Sequence, residues 1–423
     1  MRHTNWAGNL VYSAAAIAVP ESLAEARQIV RAAGKLRVLG SRHCFNDIAD
    51  TPGVHLSLAR LNRIVSLDRA RAQVTVEGGI RYGELGPWLH GEGFALHNLA
   101  SLPHISIAGA VATATHGSGA ALGCLATAVA AVEFIDAEGE LITLSREQDP
   151  DTFPGAVVSL GALGAVTKLT LDVEPAFSVR QDVWRDLPFA ALEANFDAIM
   201  SAGYSVSLFT NWQGETIGQA WIKSRTGAAD HAPAAPDFFG AHAARANMHP
   251  IAHHEATHAT GQMGAPGPWH DRLPHFRMGF SPSSGEELQA EYLLPRQHAV
   301  AAVEALRRLG DRLAPLLMVS EIRTVAADDL WLSPFYHQPA VAFHFTFRRD
   351  WPALAKLLPV MEEALTPFLP HPHWGKVFTL APEAVQAGYP KLPDFRALLA
   401  AHDPNGKFRN AFVNRYVVGT DEA

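Results

Sequence analysis

From Ala100 to Gly119 the chain reads ASLPHISIAGAVATATHGSG, small and hydroxylated residues with histidines and hardly a large side chain. Protein interiors are close-packed, so a run this polar and this poor in volume is not ordinary core and must border something else. A second stretch, Arg37 to Asn46 (RVLGSRHCFN), has the same character: an apolar strand ends in Gly40-Ser41 and His43 follows at once. A small turn at a strand end lets backbone N–H groups approach a ligand closely, because glycine has no Cβ to hold it off. The two stretches read as walls of one cofactor site.

Around that site the chain has ample material. Its 423 residues are 48% hydrophobic and 18% charged, and single cores stop growing near ~250–300 residues, so two domains are expected. A formal charge of −8 argues against nucleic acid or an anionic membrane surface as partner. Cys44 and Cys124 are the two cysteines, too few for a disulfide framework and expected as free thiols in a reducing compartment. The apolar run Leu10 to Val19 follows Arg2, as in a signal peptide, but Asn5, Trp6 and Asn9 intervene and a helix start follows. No run of ~18 apolar residues suggests a membrane span. The expectation is a soluble, cytoplasmic monomer.

Ser22-x-x-Glu25 forms a capping-box pattern, with Leu23, Ala26, Val30 and Ala33 at helical spacing before Gly34. Strand signals follow at Leu36–Leu39, His55–Leu58, Ile64–Leu67 and Gln73–Glu77, then a helix from Arg81 to about His90. Strands and helices are mixed, not strictly alternating, and no G-x-G-x-x-G opens a helix after a strand. That favours α+β layers over a doubly wound nicotinamide-type sheet. Asp136-Ala-Glu-Gly139 reads as the turn of a hairpin, and Ser159–Val173 as a turn and a strand ended by Pro175, where the first domain boundary is expected. Beyond it, strands are expected at Val179–Trp184, Ser205–Trp212, Gln219–Lys223, Leu288–Leu294, Met318–Thr324 and Val341–Phe347. Helices are expected at Phe189–Ser201, Ala299–Leu313 and Trp351–Leu365. The Ala, His, Pro and Gly-rich stretch Arg225–Pro274 is expected as a long surface excursion.

Several motifs admit two readings. His254-Glu255-Ala-Thr-His258 matches H-E-x-x-H, which on a helix presents two zinc ligands and a glutamate base. Its Pro- and Ala-rich setting and the 21 histidines of the chain favour a chance match, and no metal is expected. Glu321 and Arg323 share one face of a strand, as do His344 and Thr346. They form either a solvated ion-paired face or one wall of a polar cavity. Lys376 is either a snorkelling surface cation beside aromatics or a site residue. His43 and His116 are either structural or functional.

Together these segments resemble the alditol oxidases, FAD flavoproteins of the vanillyl-alcohol-oxidase type. The resemblance runs through Asn5-Trp-Ala-Gly-Asn9, GSRHCFN, VEGGIRYGEL, NLASLPHISIAGAVATATHGSG, SLGALGAVT, SEIRTVAAD, PHWGKVF and DPNGKFRNAF. It implies an α+β fold, with a two-subdomain FAD-binding domain at 1–175, an α+β substrate domain at 176–376 and a C-terminal segment, 377–423, returning to the first. It implies FAD bonded covalently to His43 and lined by Val38, Leu39, Gly40, Ser41, Arg42 and Cys44. Ser101, Ser106, Gly109, Thr113, Ala114, Thr115, His116 and Val166 would complete the lining. Arg42 and Cys44 replace the glycine and serine of a close relative in that family, so the surroundings of His43 are expected to differ. The implied substrate pocket comprises Ser101, Glu321, Arg323, His344, Thr346 and Lys376, with Arg323, Lys376 and Glu321 catalytic, a small polyol as substrate and O2 as electron acceptor.

The rival within this fold is a sugar-lactone oxidase or dehydrogenase. Rivals of other classes are a zinc hydrolase acting through His254, Glu255 and His258, and a non-catalytic sugar-binding module.

Overall fold

The computed structural model describes residues 3–227, 237–279 and 286–420. Three sheets organise them. A small parallel sheet sets strand Val54–Leu56 between Ala16–Ala18 and Leu36–Val38. An antiparallel sheet runs in the order Ile64–Asp68, Gln73–Glu77, Ala165–Asp172, Val129–Ile135, Leu141–Ser145. The third, also antiparallel, is built from Ser178 onward. Its long strands lie in the order Ser178–Pro188, Thr216–Thr226, Ser205–Thr210, Leu317–Val325, Ala340–Arg348, Glu287–Pro295. This is the expected α+β class.

The helix Leu23–Ala32 begins as its sequence predicts, the Ser22 hydroxyl accepting from Glu25 N–H at 3.2 Å, which satisfies one otherwise unpaired amide of the first turn. The hairpin around Asp136 forms, with the Asp136 carboxylate accepting from the amides of Glu138 and Glu140. The helix expected over Ala299–Leu313 is interrupted: it runs Ala299–Arg307 and resumes as Gly310–Leu313. A Cβ at Gly310 would lie 2.3 Å from the Trp212 carbonyl, so the backbones meet there and the helix yields.

The stretch Arg225–Pro274 corrects the expectation of a surface excursion, although residues 228–236 lie outside the described part. It is irregular but only partly exposed: Trp269, Ala259, Thr260, Gln262 and Leu273 are buried. Low apolar content did not prevent burial because hydrogen bonds replace a ladder. Gln262 bonds both backbone groups of Met248, Thr260 donates to Pro274 O, and Gln219 donates to His249 O. Each buried polar group thereby avoids the cost of an unmade bond.

The large sheet packs the helices Phe189–Met200, Ala299–Arg307 and Trp351–Leu365 on one side, through Phe189, Leu192, Val303, Leu306, Leu354, Leu358 and Met361. Its other face carries polar residues. The C-terminal segment returns to the start of the chain: Phe395, Phe412, Val413 and Val417 share a core with Ile48, Val74 and Leu85. Leu36 N–H donates to Lys407 O, and Asn410 donates to the carbonyls of Asp47, Ile48 and Asp50.

Candidate active site

The turn after strand Leu36–Val38 is held from several sides. Arg37, 3% exposed, donates to the carbonyls of Ile48, Leu160, Gly161 and Phe408, and burial lowers its pKa to about 10. Asn5 and Asn9 donate to the carbonyls of Cys44 and Phe45 at 2.9 Å each, and Trp6 N–H to that of Arg42. From the far end of the chain Gly375 O accepts from Phe45 N–H, while Asn46 donates to Trp374 O and Lys376 O. Three segments distant in sequence thus close on one decapeptide.

Arg42 adopts φ 63°, the left-handed region in which a Cβ is disfavoured, and its neighbour His43 stacks on Trp6 with ring centroids 4.7 Å apart. His43 Nδ1 lies 3.2 Å from Ser41 O. Burial lowers its pKa to about 4, with the Lys376 charge adding to the effect, so the imidazole is neutral at pH 7. Cys44 is a free thiol that burial pushes up to about 11.

The amide N–H groups of Ser41, Arg42 and His43 have no protein acceptor among the described residues, and Ser106 Oγ is buried without a partner. A Cβ at Gly40 would stand 2.7 Å from that oxygen. Consecutive free amides and an orphaned hydroxyl beside glycine fit a polar, anionic group such as the pyrophosphate of a dinucleotide.

This turn opens into a cavity of about 330 Å³, bounded on one side by Val38–Cys44, Ser101, Ser106, Gly109, Thr113, Thr115, His116 and Val166. Its opposite side is the polar face of the large sheet, with Glu321, Arg323, His344, Thr346 and Lys376. Ala114 departs from expectation: it is buried in the apolar core and does not border the cavity. Its φ of 52° lets Thr113, Thr115 and His116 line the wall while its own methyl turns away.

The sheet register brings Glu321 opposite His344, and His344 opposite Glu291. Arg323 Nη2 donates to Glu291 Oε1 at 2.5 Å, and its Nε lies 3.7 Å from Glu321 Oε1. His116 Nε2 and His344 Nδ1 stand 3.2 and 3.4 Å from the Glu291 carboxylate. Burial alone would raise the Glu291 pKa, but Arg323, His116 and His344 outweigh it and hold the group well below the usual carboxylate range. Glu321 behaves alike: burial opposes ionisation, and Arg323 with His275 more than restores it. Burial lowers the His344 pKa, Glu291 pulling it back up, and its Nε2 lies 3.3 Å from Thr346 Oγ1. Lys376 donates to Gln289 Oε1 and lies 4.9 Å from the Phe45 ring centroid, and burial lowers its pKa. The solvated-face reading of Glu321 and Arg323 therefore fails, since they are 5% and 6% exposed.

Sequence reasoning missed Glu287, Gln289, Glu291, His275 and His373, which also line the cavity. The first three carried a signal: they repeat at i, i+2 in ELQAE, the spacing that singled out Glu321 and Arg323. The ligand atoms of His116, Glu291 and His373 lie within 4.8 Å of one another, but Arg323 already occupies the carboxylate and repels a cation. The HEATH segment lacks the geometry its motif needs. Only Ala256–His258 forms a single 3-10 turn, and His254 and Glu255 are exposed.

Residues 14–145 match the family model described as FAD binding domain, and residues 285–416 match D-arabinono-1,4-lactone oxidase. The chain is 47% identical to an alditol oxidase of a Streptomyces species, over 98% of this chain and 99% of that one. It is 28% identical to an L-gulono-1,4-lactone dehydrogenase of Mycobacterium tuberculosis, covering 97% and 98% of the two chains. Among solved structures, cholesterol oxidase from Brevibacterium sterolicum superposes with a TM-score of 0.80 at 14% identity, over 98% of this chain and 96% of that one. Glucooligosaccharide oxidase from Acremonium strictum gives 0.74 at 15% identity, over 97% and 93%. The two superpositions establish the shared fold.

Proposed function

The chain belongs to the alditol oxidase family, and we propose that it is an FAD-dependent oxidase converting a terminal CH2OH of xylitol- or sorbitol-type alditols to the aldehyde. Dioxygen is the acceptor and leaves as hydrogen peroxide. The observation that carries this reading is one cavity with two unlike walls. The wall with free amides and His43 fits a dinucleotide, and the buried polar wall offers the donors and acceptors a polyol needs.

FAD, when bound, supplies the two-electron acceptor and the reaction with dioxygen. In this reading residues 1–175 and 377–423 hold it and residues 176–376 hold the substrate. The return of the C-terminal segment to Leu36 and Asp47 supports that division. His43, neutral and fixed by Trp6 and Ser41, is the attachment residue. Glu321, kept ionised by Arg323, accepts from a substrate hydroxyl, and Ser101 and Thr346 hold the chain in register. Lys376 and Arg323 stabilise negative charge developing on the reacting oxygen. His344, with Nδ1 turned to Glu291 and Nε2 toward the Thr346 hydroxyl, completes the substrate-binding wall. No helix among the described residues is long and apolar enough to cross a membrane.

Absorption spectroscopy tests the reading. Xylitol under argon should bleach a yellow protein, and air should restore the colour with hydrogen peroxide formed. A sugar lactone should bleach it far more slowly. A colourless protein, or one reduced by lactone and indifferent to xylitol, refutes it.

A further inference from the structure

The irregular segment before Gly279 delivers a histidine to the back of the polar wall. His275 is 5% exposed and lies edge-on between the rings of Phe209 and Trp221. Its Nε2 is 2.8 Å from Glu321 Oε1, and its Nδ1 is 3.1 Å from the Nζ of Lys223. Lys223, on strand Thr216–Thr226, is 1% exposed, and its ammonium has three acceptors: His275 Nδ1, Leu273 O and Pro274 O. The amides of His275 and Phe276 both donate to Ser101 O.

An ammonium has three protons and no lone pair, so all three acceptors are satisfied only when Lys223 donates to His275 Nδ1. That donation leaves Nδ1 as acceptor and places the imidazole proton on Nε2, where it meets the Glu321 carboxylate. With the other tautomer a lone pair would face a carboxylate oxygen at this distance. Glu321 Oε1 is then occupied by His275 and approached by Arg323, while Oε2 carries no hydrogen bond among the described residues and is the atom left for a ligand. Burial lowers the Lys223 pKa to about 7, Glu321 pulling it back up and Arg323 pushing it further down, so the three-proton form and the tautomer it dictates belong to the protonated state below about pH 7. Its cross-strand neighbours Gln181 and Ser205 are uncharged. Among the described residues, the charges acting on it are those of Glu321 and Arg323.

We propose that Lys223 is a positioning residue that sets the His275 tautomer, so that His275 holds Glu321 as an oriented acceptor for a substrate hydroxyl. This rests on the polyol reading of the cavity. Lys223 touches no substrate; it acts through His275.

The test is a double-mutant cycle on the holoenzyme, read by anaerobic reduction with xylitol. Lys223→Met should raise the half-saturating xylitol concentration about tenfold, since a hydrogen bond to a charged group is disturbed. The limiting reduction rate should stay within about threefold, because an acceptor contact is made alike in ground and transition states. In a His275→Gln background the amide donates to Glu321 without help, so adding Lys223→Met should cost under about threefold in the same quantity. A purely structural role would give equal effects in both backgrounds, and that result overturns the proposal. Should Lys223→Met fail to fold, His275→Leu replaces it. It should raise half-saturation more than His275→Gln does, and equal values for the two refute the assignment. Absence of reduction by xylitol in the unmutated protein would instead refute the functional reading.

Discussion

Removing Arg323 should expose the charge balance of the polar wall. The guanidinium is buried and faces two buried carboxylates, Glu291 at 2.5 Å and Glu321 at 3.7 Å. Arg323→Leu leaves both without their cation, and breaking a buried pair from one side costs about 3–5 kcal/mol. At about 2 °C per kcal/mol the melting temperature should fall by roughly 6–10 °C at neutral pH. The pH dependence fixes the cause. In the unmutated protein both carboxyls are held below their ordinary range, so their contribution is present above about pH 4.5 and is lost as pH falls toward their folded values. In the variant burial acts without the cation and raises both, so their contribution is present at low pH and lost as pH rises. The deficit should therefore be largest near pH 7.5 and shrink toward pH 5. Melting followed by near-UV circular dichroism at the two pH values measures it, and adding Glu291→Gln should recover at least half the loss. A deficit of equal size at both pH values would show that packing, not uncompensated charge, explains the variant.

Lys376→Met removes a cation whose protein partner is the neutral Gln289, so it is the cleaner kinetic probe. Loss of a donor to a developing oxyanion costs about 10²–10³ in rate, and anaerobic reduction at saturating xylitol should fall at least tenfold; an unchanged limiting rate would make Lys376 a binding residue. Thr346→Ala should chiefly raise the half-saturating xylitol concentration. Acid precipitation should carry the flavin down with the unmutated chain and leave it in the supernatant for His43→Ala; flavin in the supernatant of both would remove the covalent link. Glu255→Ala, altering an exposed side chain of the HEATH segment, should leave turnover and flavin content unchanged, and loss of stoichiometric zinc together with activity would contradict this.

Much of the site could be read from the sequence because local chemistry carries it. A strand presents alternate residues to one face, so SEIRT and FHFTF disclosed paired polar positions before any neighbour was known. Gly40-Ser41 disclosed a small-residue turn, which borders the cavity, and the Ser22 cap disclosed where a helix begins. Periodicity assigns a face, however, and says nothing of what lies across from it. That Glu291 sits opposite His344 and takes the Arg323 ion pair was decided by strand register, a contact between segments far apart in the chain. Whether Glu321 and Arg323 were solvated or enclosed depended on the Val38–Cys44 wall that faces them across the cavity. His275 was least legible of all: its segment has no period, and hydrogen bonds to Lys223, Ser101 and Glu321 place it. The sequence by itself determined the turn, the strand faces and the residue types of the site. The tertiary structure decided their partners and charge states, because pairing and desolvation arise only when distant segments exclude water from one another.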